Sequence, residues 1–301
     1  MTTPALTLRR DGVSLAVTDR GGDGPPVVLL HGLAGSSREL LPTADALTDR
    51  FHVLLVDQRG HGRSSRRPRD VSREAFVADV VAMIEELDAG PVRLVGQSMG
   101  AHTAFLTASA RPDLVDRLVM LEGHVAGDDP GAARAIGEFF ASWPSVFADE
   151  AAARAFLGES PLADAWIADL ERTVGGLRRR FDADVMEAVI AAVHVPRWDE
   201  WAALTTPTLA IFADDGLFTA QAKDELIRRR PLTRRVDLAG AGHDAHLDAR
   251  DDWIAVLRDF LGQELTTGSR AASHSSTPSA SRRTTRPRSR SVRTASWART
   301  Q

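Results

Sequence analysis

The chain has 301 residues, 43% of them apolar, and a formal net charge of −4. That length holds one large α/β domain with an insertion, or two smaller domains, and the apolar content suffices for a sizeable core. It contains no cysteine, which excludes disulfides, a thiol nucleophile and cysteine-ligated metal.

Met1–Arg10 lacks the apolar core and cleavage site of a leader, and no run of about 18 apolar residues follows anywhere. The sequence therefore reads as a cytoplasmic protein without a membrane span. Leu6–Leu8 and Ser14–Val17 alternate as two antiparallel strands around Asp11-Gly12, a hairpin signal. Val27–Leu30 is a continuous apolar run, as expected of a strand buried on both faces, and it ends in His31-Gly32. A helix is predicted over Glu39–Leu47 and a second buried strand over Val53–Val56, ending in Asp57. Phe76, Val77, Val80, Val81, Ile84 and Leu87 have helical spacing. The strand Val92–Val95 then runs into Gly96-Gln97-Ser98-Met99-Gly100, with a helix-like stretch over Ala101–Ala108. Further strands are predicted at Val115–Leu121, Thr208–Phe212 and Arg235–Leu238, and a closing helix over Ala245–Leu261. Strands alternating with helices imply a mostly parallel sheet flanked by helices, which binds ligands at the carboxyl ends of its strands.

Residues 124–203 break the alternation. They show no convincing strand and hold Trp143, Trp166, Trp198 and Trp201 with five phenylalanines. Two readings hold together: a helical insertion with its own small aromatic core, and a lid whose rings line an apolar pocket. Residues 265–301 carry eight arginines and no acid, so the remainder, with 29 basic and 41 acidic residues, carries about −12. This Ser/Thr/Arg-rich tail has too little apolar surface to offset the entropy of ordering and is expected to be disordered. Any affinity for nucleic acid would be non-specific and confined to it.

The pattern strand, G-x-S-x-G, helix marks a sharp turn with a serine at its strained apex. Gly96 and Gly100 carry no Cβ, so strand and helix can approach closely there. Ser98 is the candidate nucleophile. A serine hydroxyl needs a base, itself oriented by a carboxylate. His243, after the last strand in Gly240-Ala241-Gly242-His243, is the candidate base, whereas His246 is expected to pack or cap. Oxyanion donors are expected from the N–H of Met99, directly after the nucleophile, and of Leu33 in the loop His31-Gly32-Leu33, with His31 holding that loop. No phosphate-binding loop, dinucleotide fingerprint or His/Glu metal motif occurs, so no cofactor is implied.

His31-Gly32, Asp57-Gln58-Arg59-Gly60-His61-Gly62-Arg63-Ser64, Gly96-Gln97-Ser98-Met99-Gly100 and Gly242-His243, in this order, resemble the α/β-hydrolase-fold enzymes over roughly residues 6–262. The resemblance implies a core in two parts, 1–123 and 204–263, with a helical lid at 124–203 between the sixth and seventh strands and the tail at 264–301. It implies that Asp57–Ser64 scaffolds the site. Family members usually place the third triad residue, an aspartate, after the seventh strand. Here that position is Gly216, one residue beyond Asp214-Asp215. The other family location, after the sixth strand, holds Glu122. Glu122 and Asp215 are the two main candidates, and Asp214 is a third. A serine nucleophile sets the chain apart from haloalkane dehalogenases and epoxide hydrolases of this fold, which use aspartate. The expected activity is hydrolysis of a small to medium ester, thioester, lactone or similar acyl substrate. The same scaffold supports carbon–carbon bond hydrolysis, perhydrolysis, acyl transfer, lyase chemistry or non-catalytic ligand binding.

Overall fold

Apolar runs bounded by glycine and polar turns make the centre of a sheet. In the computed structural model of the chain, which describes residues 5–127 and 131–263, they pair as expected. The elements up to residue 121 are β1 (Ala5–Arg10), β2 (Val13–Gly21), β3 (Pro26–Leu30), α1 (Leu41–Asp45), β4 (His52–Val56), α2 (Arg73–Glu86), β5 (Val92–Gln97), α3 (Met99–Ala110) and β6 (Val115–Leu121). The insertion holds α4 (Ala132–Ala141), α5 (Glu150–Leu157), α6 (Pro161–Asp169), β7 (Glu171–Thr173), β8 (Gly176–Arg178), α7 (Ala183–Val193) and α8 (Trp198–Ala203). The chain then returns to the sheet with β9 (Thr208–Asp215), α9 (Ala220–Arg229), β10 (Arg234–Gly242), α10 (Ala245–Asp248) and α11 (Arg250–Gly262). The chain divides into two units, Met1–Gly262 and Gln263–Gln301. The disorder expected of the basic tail concerns residues 264–301, outside the described residues.

Eight strands form one sheet in the order β1-β2-β4-β3-β5-β6-β9-β10. β1 and β2 pair antiparallel, as do β2 and β4, and the remaining neighbours are parallel. Successive side chains alternate between two cores. Val28, Leu30, Leu54, Val56, Leu94, Leu118, Met120 and Phe212 pack with Phe105 of α3, Met83 of α2 and Trp201 of α8. Val27, Leu29, Val53, Leu55, Val95, Val119, Leu121 and Ile211 pack with Leu47, Trp253, Leu257 and Phe260 on the other face.

The insertion has a third core. Phe140, Trp143, Phe147, Ile167, Leu177 and Phe181 cluster with Val185, Met186 and Val189 of α7, and with Ala34, Phe76 and Met99 from the sheet domain. Trp143 sits at the middle of it, with ring contacts to Phe139, Phe140, Phe156, Trp166 and Phe181. Trp201 instead belongs to the core under the sheet, where its indole N–H donates to Leu226 O at 2.9 Å.

Three local expectations are revised. The insertion contains a short antiparallel hairpin, β7–β8, too brief for an alternation pattern to register. The helix predicted over Glu39–Leu47 is a 3₁₀ turn, Ser37–Leu40, that hands over to α1 near Pro42. The closing helix is broken at Ala249, which adopts φ −124°, into α10 and α11. Among the described residues no helix is long and apolar enough to cross a membrane.

Candidate active site

β5 ends at Gln97 and α3 begins at Met99, so Ser98 alone makes the turn. Its backbone is held at φ +52°, ψ −118°, a conformation that costs of order 1–3 kcal/mol for a residue with a side chain. The close approach is visible at the flanking glycines. A Cβ on Gly96 would lie 2.2 Å from Gly100 O, and one on Gly100 would lie 2.3 Å from Leu30 O. No other residue fits there without displacing backbone. Ser98 N–H donates to Leu121 O at 2.8 Å, tying the turn to the end of β6. Ser98 is partly exposed, whereas its neighbours Gln97 and Met99 are buried.

His243 follows β10, and its Nδ1 lies 3.2 Å from Glu122 Oε2. Glu122 is 1% exposed and immediately follows β6, at φ +47°. Its Oε1 accepts from Ala213 N at 2.9 Å and its Oε2 from Leu217 N at 2.8 Å. Two backbone donors and the imidazole thus satisfy a buried carboxylate that would otherwise be costly. The space it occupies is that of an absent side chain, since a Cβ on Gly216 would fall 2.4 Å from both carboxylate oxygens. Asp214 and Asp215 are exposed at the end of β9. Burial alone would lower the His243 pKa. The hydrogen bond that His243 donates to Glu122 and the charges of Asp244, Glu122 and Asp248 outweigh burial and raise it above 6.5.

The loop after β3 reaches the same place. A Cβ on Gly32 would meet Gln97 Oε1 at 2.1 Å and lie 3.5 Å from Ser98 Cβ, so this loop rests against the serine. His31 is fully buried, with Nδ1 2.7 Å from Gly32 O. Its Nε2 accepts from Gln58 N at 2.9 Å, which leaves the ring proton on Nδ1. Burial lowers its pKa, so the ring is a neutral brace. Gln58 Nε2 adds a bond to His31 O at 2.7 Å. Leu33 follows in the turn closed by Gly35 N to Gly32 O at 3.3 Å. Met99 opens α3, where the first N–H groups have no intrahelical acceptor.

Asp57–Ser64 forms a network beside this loop. Asp57 accepts from Ser37 N at 2.8 Å and Arg63 N at 2.9 Å, and the Ser64 hydroxyl donates to Asp57 O. Arg59 is clamped to Asp79 at 2.7 and 2.6 Å.

Gln97 has a part that its neutral place in the motif did not announce. Its Nε2 lies 3.4 Å from His243 Nε2, 3.3 Å from His243 O and 3.3 Å from Asp244 Oδ1. One amide therefore braces the histidine loop while its oxygen faces the Gly32 loop. Glu39, also unremarked in the sequence, accepts from Gly32 N at 3.3 Å. Burial and the nearby charge of Asp244 raise its pKa well above the ordinary carboxylate range. His246 is buried in α10, as expected of a packing residue. Among the described residues no group of three or more His, Asp and Glu side chains is placed to hold a metal ion.

A family model for the alpha/beta hydrolase fold matches residues 25–250. The chain belongs to the α/β-hydrolase family. The hydrolase is 29% identical to mouse sn-1-specific diacylglycerol lipase ABHD11, over 84% of this chain and 86% of that protein. It is 27% identical to esterase YbfF of Escherichia coli, over 78% of this chain and 92% of that protein. The solved structure of E-2-(acetamidomethylene)succinate hydrolase matches it with a TM-score of 0.80 at 25% identity, covering 87% of this chain and 100% of the other. These relatives are named as a lipase, an esterase and a hydrolase, and the present chain is a hydrolase of the same fold.

Proposed function

We propose that the hydrolase cleaves an ester, thioester, lactone or related acyl compound of small to medium size through a serine acyl-enzyme. The observation that carries this reading is the strained Ser98 at the head of α3, in a site where His243 is bound to the buried Glu122. Ser98 Oγ attacks the acyl carbonyl as His243 Nε2 takes the hydroxyl proton. The Leu33 and Met99 N–H groups stabilise the oxyanion. Collapse breaks the bond to the leaving group, which receives that proton from His243. Water, deprotonated by His243, then attacks the acyl-enzyme, releasing the acid and restoring Ser98.

Glu122 is the favoured third residue. A carboxylate at Nδ1 keeps the ring proton there and leaves the Nε2 lone pair for Ser98. Asp215 is exposed, and Gly216 yields its space to Glu122. The insertion serves as a lid, because Met99 and Ala34 pack in one cluster with its apolar side chains. That wall favours an apolar acyl portion. The names of the relatives, a diacylglycerol lipase, an esterase and a succinate-derivative hydrolase, support carboxyl-derivative chemistry.

The test is hydrolysis of p-nitrophenyl esters of increasing acyl length, with fluorophosphonate labelling in parallel. Wild type is expected to turn over and to label at Ser98. Ser98→Ala is expected to lose about 10⁵-fold or more in kcat and to escape labelling. A wild type that neither hydrolyses any ester nor labels would overturn the acyl-enzyme reading.

A further inference from the structure

Four basic side chains converge where the insertion packs on the sheet domain, at the junction of α2, α3, α7 and α8. Arg73, the first residue of α2, is 1% exposed. Its Nη2 donates to Thr103 Oγ1 and lies 3.5 Å from Met99 O, and the ring of Phe76 lies 4.6 Å from the guanidinium carbon. Its Nε and Nη1 are buried without an acceptor. His102, on α3, is 1% exposed with neither ring nitrogen partnered. His194 at the end of α7 buries an unpartnered Nδ1, and Arg197 ahead of α8 an unpartnered Nε. Arg73, Arg197 and His194 all act electrostatically on His102.

The nearby carboxylates bond to Arg197, and of them Glu74 acts on Arg73 only through its charge, without a hydrogen bond. Glu74 and Glu200 lie 3.0 Å from the outer nitrogens of Arg197, and Glu74 is 71% exposed. No carboxylate among the described residues pairs with Arg73. A buried histidine can shed its proton, and burial depresses His102 well below its ordinary value. Arginine has little such recourse. Burial brings Arg73 down to about 9, so it stays charged at neutral pH. A buried cation with no directly bonded counter-charge is costly, and buried polar groups in folded proteins almost always find partners.

We propose that this junction is a binding site for an oxyanion, a carboxylate or phosphate group, held by the free N–H groups of Arg73 with His102 and the insertion's His194 and Arg197 completing the shell. The nitrogens are closed off from solvent as the helices stand, so an anion enters when α7 and α8 part from α2 and α3, and it then bridges insertion and sheet domain. Arg73 touches the carbonyl of Met99, the residue after Ser98, which brings the site within one residue of the reacting serine. The anion is therefore either a free small ion or a carboxylate carried by the substrate. The substrate-borne source rests on the acyl-hydrolase reading above, and the free-ion source does not.

The experiment uses the full chain, dialysed free of anions other than chloride. Thermal melts with inorganic phosphate and with succinate, against sodium chloride at equal ionic strength, read the free ion. A saturable rise of a few degrees in wild type, absent in Arg73→Met, is the expected result for that source. The relative kcat/KM for mono-p-nitrophenyl succinate over p-nitrophenyl butyrate reads the substrate-borne carboxylate. Wild type is expected to favour the hemiester about tenfold or more, as charge-assisted pairing with arginine allows, and Arg73→Met to lose that preference. If Arg73→Met fails to fold, His102→Leu and the wild-type titrations decide. Absence of both the melt response and the hemiester preference in wild type overturns the proposal. Inactivity of wild type on both esters overturns the acyl-hydrolase reading instead, and the melts alone then decide the anion site.

Discussion

The carboxylate of Glu122 and any side chain at position 216 compete for the same space. A Cβ at 216 would sit 2.4 Å from the carboxylate oxygens, so the glycine there and the glutamate just after the neighbouring strand form a matched pair. This pairing predicts more than a simple loss. Glu122→Gln should lower kcat by about 10³-fold or more, since an amide favours the wrong imidazole tautomer. Glu122→Ala should lose as much, and the double variant Glu122→Ala/Gly216→Asp should recover part of it, because an aspartate is then restored to the location usual in the family. Ester kinetics on the three variants check this, and a double variant no better than Glu122→Ala would count against the pairing. The same contact sets the pH profile. In the proposed mechanism His243 must be neutral to accept the serine proton, and its pKa is raised above 6.5. The wild-type kcat/KM should therefore climb with pH through an apparent pKa above 6.5. The residual activity of Glu122→Gln should climb through a lower one, because the raising hydrogen bond and charge are gone.

At the scale of elements, the sheet was legible because its strands are uninterrupted apolar runs and its turns are marked by glycine. As candidates, Ser98, His243 and the Gly32 loop stand out in the sequence because each sits at a strand end with a distinctive neighbour. The sequence does not choose between Glu122 and Asp215, since that depends on how β6 and β9 lie side by side, and a slip of one residue in a loop leaves no periodic trace. Arg73 and His102 were invisible for a related reason. Each looks like an ordinary helical polar residue until α7 and α8 cover it. Aromatic content did announce the insertion's core, but not its division. Trp143 fills the insertion, whereas Trp201 belongs under the sheet. Trp143→Ala should accordingly cost about 3–5 kcal/mol locally. Hydrogen exchange should quicken in α4–α7 while β3, β5 and β6 stay protected. Uniform quickening of both regions would mean that insertion and sheet unfold as one unit.

At the scale of the whole molecule, a buried histidine makes the fold less stable in acid, because unfolding releases it to bind a proton. His246 is held neutral by burial down to about pH 3, with His243 adding to the shift. Unfolding frees it to titrate near 6.5. Between those values the unfolded chain binds a proton that the folded chain does not, so stability falls as pH falls across the window. Asp169 has the opposite sign. Burial and the charge of Asp57 push it up to about 6, so it favours the folded state as pH drops toward 4. Comparing His246→Gln with wild type cancels the Asp169 contribution. Denaturant melts between pH 6 and 4 should show the variant's stability falling less steeply, by about 1.4 kcal/mol per pH unit. Equal slopes would place the imidazole's proton uptake elsewhere.

The backbone of Ser98 lies where only glycine rests comfortably. Evolution therefore works against a gradient at this codon: Ser98→Gly should raise the melting temperature while abolishing turnover, as relief of about 1–3 kcal/mol of strain allows. A calorimetric scan that finds the variant less stable than the parent would show that the hydroxyl itself helps hold the turn. If the gradient is as steep as the backbone suggests, a lineage relieved of the need for this reaction would drift toward glycine first. The strain at position 98 is then a reserve of stability that only loss of the side chain, and the hydroxyl with it, releases.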